Sequence, residues 1–294
     1  MTFLSGFIAI IGPPNVGKST LLNRILGKKI TIVSPKPQTT RNRITGIYHE
    51  QGCQMVFMDT PGIHRTQTPL HKSMVGSAES ALKEVDLLVL MIEMHHPQAP
   101  EIPMILDSIR KSRKPSVLAI NKIDTGLKET LLPTIAAYSE TRSFKSIIPI
   151  SALTGDGVGR LLGELKSMLK EGPAFFPENV QTDQSEPFLV SEMIREKIFL
   201  HTRQELPYSS AVTVERLEEQ PERDLVSISA RIHVESESQK GILIGRGGKM
   251  IKKIGQAARE DLESFFGSRV FVELFVKVDK NWSKDPRTLR RLGY

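Results

Sequence analysis

Over residues 1–172, short continuous apolar runs alternate with amphipathic stretches of helical period. Phe7-Ile8-Ala9-Ile10-Ile11, Met55-Val56-Phe57-Met58, Asp86-Leu87-Leu88-Val89-Leu90-Met91-Ile92, Ser116-Val117-Leu118-Ala119-Ile120 and Ser146-Ile147-Ile148-Pro149-Ile150 read as buried strands. Unbroken apolar runs are what strands covered on both faces require. Ile44-Thr45-Gly46-Ile47-Tyr48 alternates, as a half-buried strand does. Helical spacing runs from Thr20 to Leu26 and recurs over 70–84, 99–112, 127–140 and 156–170. Strand and helix in alternation predict an α/β domain over 1–172, with a doubly wound, mostly parallel sheet. Such a sheet takes its ligand at the carboxyl ends of the strands.

After residue 172 the pattern changes. Gly172-Pro173 and Pro177 break the last helix, and the polar stretch to Glu186-Pro187 reads as a linker over 173–187. Helical period restarts at Phe188 and runs to Leu200. Alternating strands follow near Ser210 to Leu217 and Asp224 to Val234. Two apolar helical stretches then flank Gly245-Arg246-Gly247-Gly248, and Val270 to Val278 alternates as a final strand. This α-β-β-α-α-β order predicts a smaller α+β domain over 188–294.

The chemistry begins at Gly12-Pro13-Pro14-Asn15-Val16-Gly17-Lys18-Ser19, set between the first strand and the helix that opens near Thr20. Gly12 and Gly17 let the backbone bend around an anion, and the helix N-terminus adds partial positive charge. In that context Lys18 reaches the β- and γ-phosphates of a nucleotide, and the Ser19 hydroxyl sits on Mg²⁺. Asp59-Thr60-Pro61-Gly62 leaves the next strand, where a carboxylate can hold a Mg²⁺-bound water and the Gly62 N–H can approach the γ-phosphate. The polar loop 28–43 offers Thr39 and Thr40 to close over the same ion, and the choice between them stays open. Asn121-Lys122-Ile123-Asp124 selects the base. The Asp124 carboxylate accepts both N–H donors of guanine and would face an acceptor on adenine. Ser151-Ala152-Leu153 follows the last strand of the domain, where the Ala152 N–H is placed to reach guanine O6.

In the second domain the Gly245 loop carries Lys240, Arg246, Lys249, Lys252 and Lys253, with no acidic residue between Lys240 and Lys253. Glycines that let backbone meet sugar-phosphate, with cations around them, suit single-stranded RNA. Ile242, Ile244 and Ile251 are the candidate apolar floor for unstacked bases. The basic tail from Lys280 holds the chain's only tryptophan, Trp282, and reads either as a cap on the last strand or as more RNA surface. The net charge of +7 agrees with an anionic partner, though modestly. The single Cys53 excludes an intramolecular disulfide and fits a reducing compartment. With no membrane-length apolar run and no signal segment, the expected location is the cytoplasm.

The five motifs from Gly12 to Leu153 resemble those of translation-factor-like GTPases. The resemblance implies GTP and GDP binding with Mg²⁺, and hydrolysis to GDP and phosphate. Ile63 stands where Ras-like enzymes orient the attacking water with glutamine, so slow intrinsic hydrolysis is expected. In GTPases with that replacement, an asparagine at the position of Asn15 helps hold K⁺ beside the phosphates. The resemblance thus makes Lys18, Thr40, Gly62 and Asn15 the catalytic candidates. Gly245-Arg246-Gly247-Gly248 between two helices resembles the GXXG loop of type II KH domains. Together with Gln38-Thr39-Thr40-Arg41, Asp59 to His64, and the closing Leu289-Arg290-Arg291-Leu292-Gly293-Tyr294, the whole chain resembles the Era family of bacterial GTPases. Pro13 departs from the arginine common in that family. The family resemblance implies binding of 16S ribosomal RNA near its 3′ end, a role in assembly of the small (30S) subunit, and peripheral contact with the inner membrane face. A monomer is expected.

Overall fold

The computed structural model describes residues 2–36, 39–61, 83–126 and 128–294. Gly62, Ile63 and nearly all of the helix expected over 70–84 lie outside the described residues. The chain forms two compact units, with a boundary after Asp183.

The first unit is built on strands β1 (Leu4–Ile11), β2 (Ile44–Glu50), β3 (Cys53–Asp59), β4 (Leu87–Glu93), β5 (Ser116–Asn121), β6 (Ser146–Pro149) and β7 (Lys170–Glu171). The order is β2-β3-β1-β4-β5-β6; β2 is antiparallel, and short β7 adds an antiparallel pairing to β1. Helices α1 (Lys18–Leu26), α2 (Ile102–Ser112), α3 (Leu131–Glu140) and α4 (Val158–Met168) provide the crossovers and cover. β3 and β5 are buried along their whole length. Ile102, Ile105 and Ile109 of α2 close one side of the core over Leu88, Leu90 and Leu118. Ile10 lies opposite Asp59 and Glu93 opposite Asn121, so the motifs leave the sheet along one edge.

Much of the expected linker is instead ordered cover for this sheet. Buried Gln54 accepts from the Phe175 and Phe176 N–H groups at 2.7 and 3.1 Å and donates to the Phe176 carbonyl at 2.7 Å. The Ile47 N–H on edge strand β2 donates to the Gln181 carbonyl at 2.8 Å, and Thr182 donates to the Thr45 carbonyl at 2.7 Å. An uncovered edge leaves backbone donors unpaired, and this segment satisfies them.

The second unit contains α5 (Glu186–His201), β8 (Ala211–Gln220), β9 (Leu225–Val234), α6 (Glu237–Ile244), α7 (Lys249–Phe266), β10 (Arg269–Val278) and α8 (Pro286–Arg291). α5 starts earlier than the periodicity suggested: Ser185 stands at the N-cap position in extended geometry, without a side-chain capping bond, and Pro187 fits the first turn. In the three-stranded sheet β10-β9-β8, β9 runs antiparallel to β8 and parallel to β10. Val226, Ile228, Ala230 and Ile232 alternate inward along β9 and meet Ile254, Ala258 and Leu262, one face of α7. Trp282 is buried and donates from Nε1 to the Ser209 carbonyl at 2.9 Å, so the tail is a cap on the core at this residue. By its contacts the segment Thr31–Thr39 also belongs to the second unit, although sequence order places it in the first domain.

Buried His233 bonds Asp279 through Nδ1 at 2.6 Å and the Thr213 hydroxyl through Nε2 at 2.9 Å. Burial lowers its pKa below the ordinary histidine value; the Asp279 carboxylate opposes this, while Lys277 and Arg231 reinforce it. The unfolded chain therefore takes up this proton more readily than the folded one. The stability involved is present above about pH 6.5 and is lost as pH falls toward the lower folded value. Urea unfolding should show a larger loss between about pH 7.5 and about pH 5 in the wild type than in His233→Gln.

Candidate nucleotide site and nucleic-acid groove

Between β1 and α1 the loop closes tightly enough to forbid side chains at its two glycines. A Cβ on Gly12 would lie 2.4 Å from the Met91 carbonyl oxygen, and one on Gly17 would lie 2.4 Å from Asn121 Nδ2. Asn15 also adopts the left-handed region, with φ of 62°. Lys18 is buried, and its ammonium donates to the Gly12 and Pro13 carbonyls at 3.1 and 2.9 Å. Burial lowers its pKa to about 8, against the pull of Asp59.

Ser19, Thr40 and Asp59 are brought together. The Ser19 hydroxyl donates to Asp59 Oδ2 at 2.6 Å and lies 2.9 Å from Thr40 Oγ1, which is 3.4 Å from the same carboxylate oxygen. The Thr39 hydroxyl instead donates to the Lys36 carbonyl at 2.9 Å, so Thr40 is the threonine brought to the site. Burial raises the Asp59 pKa, offset in part by Lys18 and by hydrogen bonds from Ser19 and Thr40. Asp59 Oδ1 is buried without a hydrogen-bond partner. Two hydroxyls and an unsatisfied buried carboxylate oxygen form a hard, all-oxygen donor set, which fits Mg²⁺. Thr60 turns away: its hydroxyl donates to the Ile10 carbonyl at 2.9 Å, and its side chain is not brought to the site.

On the base side, the Asn121 amide donates to the Val16 carbonyl at 2.7 Å and accepts from the Ala152 N–H at 2.9 Å. The Ala152 N–H, expected to reach guanine O6, here donates to Asn121. Buried Ser151 pins the same loop by accepting from the Thr154 N–H at 3.1 Å. Asp124 is exposed within a short 3₁₀ turn and does not cap it. Two supports were not legible in sequence. Arg24 of α1 donates to the Ala152 and Leu153 carbonyls, and Glu93 holds the Lys122 ammonium at 2.8 Å.

In the second unit, α6 ends at Gly245 and α7 begins after Gly248. Gly245, Gly247 and Gly248 have φ values of 72°, 60° and 76°, which side chains adopt rarely. Arg246, Lys249, Lys252 and Lys253 are exposed around them, and Lys240 is half-buried. A groove of about 460 Å³ runs between α7 and edge strand β10, lined by Ile251, Lys252, Gln256, Arg259, Val272 and Leu274 among others. The floor therefore comes from α7 and β10. Of the expected floor residues only Ile251 lines it. Ile242 is exposed at 54% and Ile244 is half-buried, because α6 turns Leu243 inward. Arg259, Val272 and Leu274 were missed because the pairing of α7 with β10 is tertiary.

A profile for 50S ribosome-binding GTPases matches residues 7–122, and a KH domain profile matches 205–283. GTPase Era of Syntrophus aciditrophicus is 54% identical over 99% of this chain and 95% of that protein. GTPase Era of Geotalea uraniireducens is 53% identical over 99% of this chain and 98% of its own length. This chain belongs to the Era family of GTPases. An Aquifex aeolicus Era variant bound to GDP·AlF4⁻ matches the fold with a TM-score of 0.96 at 38% identity, covering 99% of both chains. An Era structure with MgGDPNP and nucleotides 1506–1542 of 16S ribosomal RNA matches equally, at TM-score 0.96 and 38% identity over 99% of both. As a member of that family the chain is a GTP-binding GTPase.

Asp124→Asn presents an amide N–H₂ where guanine offers its own donors, and pairs better with the 2-oxo group of xanthine. Competition binding should show guanine nucleotide affinity falling by about 100-fold and xanthine nucleotides overtaking it.

Proposed function

We propose that this chain is a GTP-hydrolysing switch that binds 16S ribosomal RNA near its 3′ end through the α7–β10 groove and acts in assembly of the small (30S) subunit. The supporting observation is that one chain carries both the guanine-nucleotide motifs and a glycine loop ringed by exposed Arg246, Lys249, Lys252 and Lys253, at the start of the helix that also lines the α7–β10 groove. The related Era bound to MgGDPNP and 16S RNA nucleotides supports the same pairing of ligands. Lys18 and the loop N–H groups bind the phosphates of GTP. Ser19, Thr40 and Asp59 would hold Mg²⁺, which when bound neutralises charge on the β- and γ-phosphate oxygens. Asn15, at the turn of the loop, supports K⁺ beside the phosphates. Gly62 and loop 28–43 are the elements that respond to the γ-phosphate, and through them nucleotide state governs access to RNA.

We place this activity in the cytoplasm, by a monomer, with any membrane contact peripheral. No helix among the described residues is long and apolar enough to cross a membrane.

An RNA of the 16S 3′ end should bind more tightly with a non-hydrolysable GTP analogue than with GDP; equal affinities would refute the switch. Gly247→Asp with Gly248→Asp places carboxylates at the phosphate path and should weaken that RNA by about 100-fold while GTP hydrolysis persists. RNA binding untouched by this pair would favour a protein-gripping adaptor instead. Hydrolysis in K⁺ should exceed that in Na⁺, and equal rates would remove the role given to Asn15.

A further inference from the structure

We propose that Arg24, on α1, is a positioning residue for guanine nucleotide binding: its guanidinium clamps two consecutive carbonyls of loop 151–155 and so slows nucleotide release. The inference rests on the reading of Ser151-Ala152-Leu153 as the loop beside guanine, and every residue it uses belongs to the first unit.

Loop 151–155 makes its own turn. The Gly155 N–H donates to the Ser151 carbonyl at 2.8 Å, the Thr154 N–H to the Ser151 hydroxyl at 3.1 Å, and the Ser151 N–H to the Asp156 carbonyl at 2.8 Å. These bonds shape the loop without tying it to the phosphate loop. Among the described residues, two side chains from elsewhere hydrogen-bond it. Asn121 accepts from the Ala152 N–H at 2.9 Å. Arg24 takes the carbonyls: Nε donates to that of Ala152 at 3.3 Å, and Nη2 donates to that of Leu153. The Arg24 stem runs close to Gly155, where an added Cβ would stand 3.6 Å from Arg24 Cδ. A planar guanidinium presents its N–H groups as a fork and meets two acceptors at once, which a lysine ammonium does not.

The anchor of the clamp is firm. Arg24 shares α1 with Lys18 and Ser19, and buried Leu21, Leu22, Ile25 and Leu26 seat that helix on the core. Arg24 itself lies on the exposed side of α1, so burial does not account for it. The Ala152 carbonyl lies in one rigid peptide plane and the Leu153 carbonyl in the next, so holding both oxygens restrains the swing of the loop. The Leu153 side chain is 66% exposed and supplies no packing that would do this instead. Both side-chain donors of Arg24 go to this loop, and none goes to Ser19, Thr40 or Asp59. Its effect therefore falls on how long the nucleotide stays, not on the chemistry at the phosphates.

The test follows release of fluorescently labelled GDP from the full chain after a chase with unlabelled GDP. Arg24→Met keeps the stem and removes both donors, and dissociation should quicken by about 10- to 100-fold with the loss of bonds from a charged group. Arg24→Lys, a point charge in place of the fork, should fall between Arg24→Met and the wild type. Single-turnover hydrolysis at saturating GTP should keep its wild-type rate in both, which a general loosening of the domain would not allow. Should Arg24→Met fail to fold, Arg24→Gln carries the same comparison. Ala152→Pro deletes the N–H that Asn121 accepts, tests the loop itself, and should also quicken release. Release quickened by Ala152→Pro but not by Arg24→Met overturns the clamp and keeps the loop reading; release unchanged in both overturns both. A hydrolysis rate that falls in step with faster release, or wild-type release in Arg24→Lys, also overturns the clamp.

Discussion

One side-chain amide holds the nucleotide site together. Asn121 gives its N–H₂ to the phosphate loop at Val16 and its oxygen to the base loop at Ala152, so phosphate and base contacts share a reference point. Gly17 packs so closely on this amide that a methyl group there would displace it. Because Asn121 ends a fully buried strand, its own position is set by the hydrophobic core of the sheet. Burial energy thereby sets the distance between the two loops. Arg24 then grips the base loop from α1, the helix that also carries Lys18 and Ser19.

What was legible in the sequence is what physics confines to a few consecutive residues. A loop that wraps an anion needs glycines at fixed offsets, so Gly12, Gly17, Lys18 and Ser19 announce themselves, and strand runs of Val, Ile and Leu announce the sheet. Asp124 and the Gly245 loop were readable for the same reason. Arg195, Glu93 and Gln54 were not. Each acts on partners far along the chain, often through backbone atoms, and such contacts leave no periodicity or local composition. The Asn121 acceptor beside the Ala152 N–H was equally hidden, because a sequence shows a donor but not the acceptor that lies next to it. The groove floor was misplaced on α6 for a related reason. Apolar residues on a helix show that a face is buried, but not which strand lies opposite.

Helix α5 also departs from simple patterning. Residues Leu189 to Phe199 are all buried, including Glu192, Arg195, Glu196 and Lys197. Buried charges are costly and are tolerated only with close partners. Here the partners are one another, Asp261, and backbone groups of Thr31–Thr39. The helix thus has an apolar side that completes the second core and a polar side that needs a specific peptide segment to satisfy it.

That need makes the two units inseparable by a single cut. A fragment ended at residue 172 would keep every nucleotide motif yet strip the strand edge of the cover that Gln54 and Ile47 hold in place. A fragment begun at residue 184 would keep the whole three-stranded sheet yet leave buried ions on α5 without the chain that answers them. Each unit borrows structure from sequence that lies beyond its nominal limit. The functional module is therefore the full polypeptide, and its division into domains describes compactness rather than autonomy.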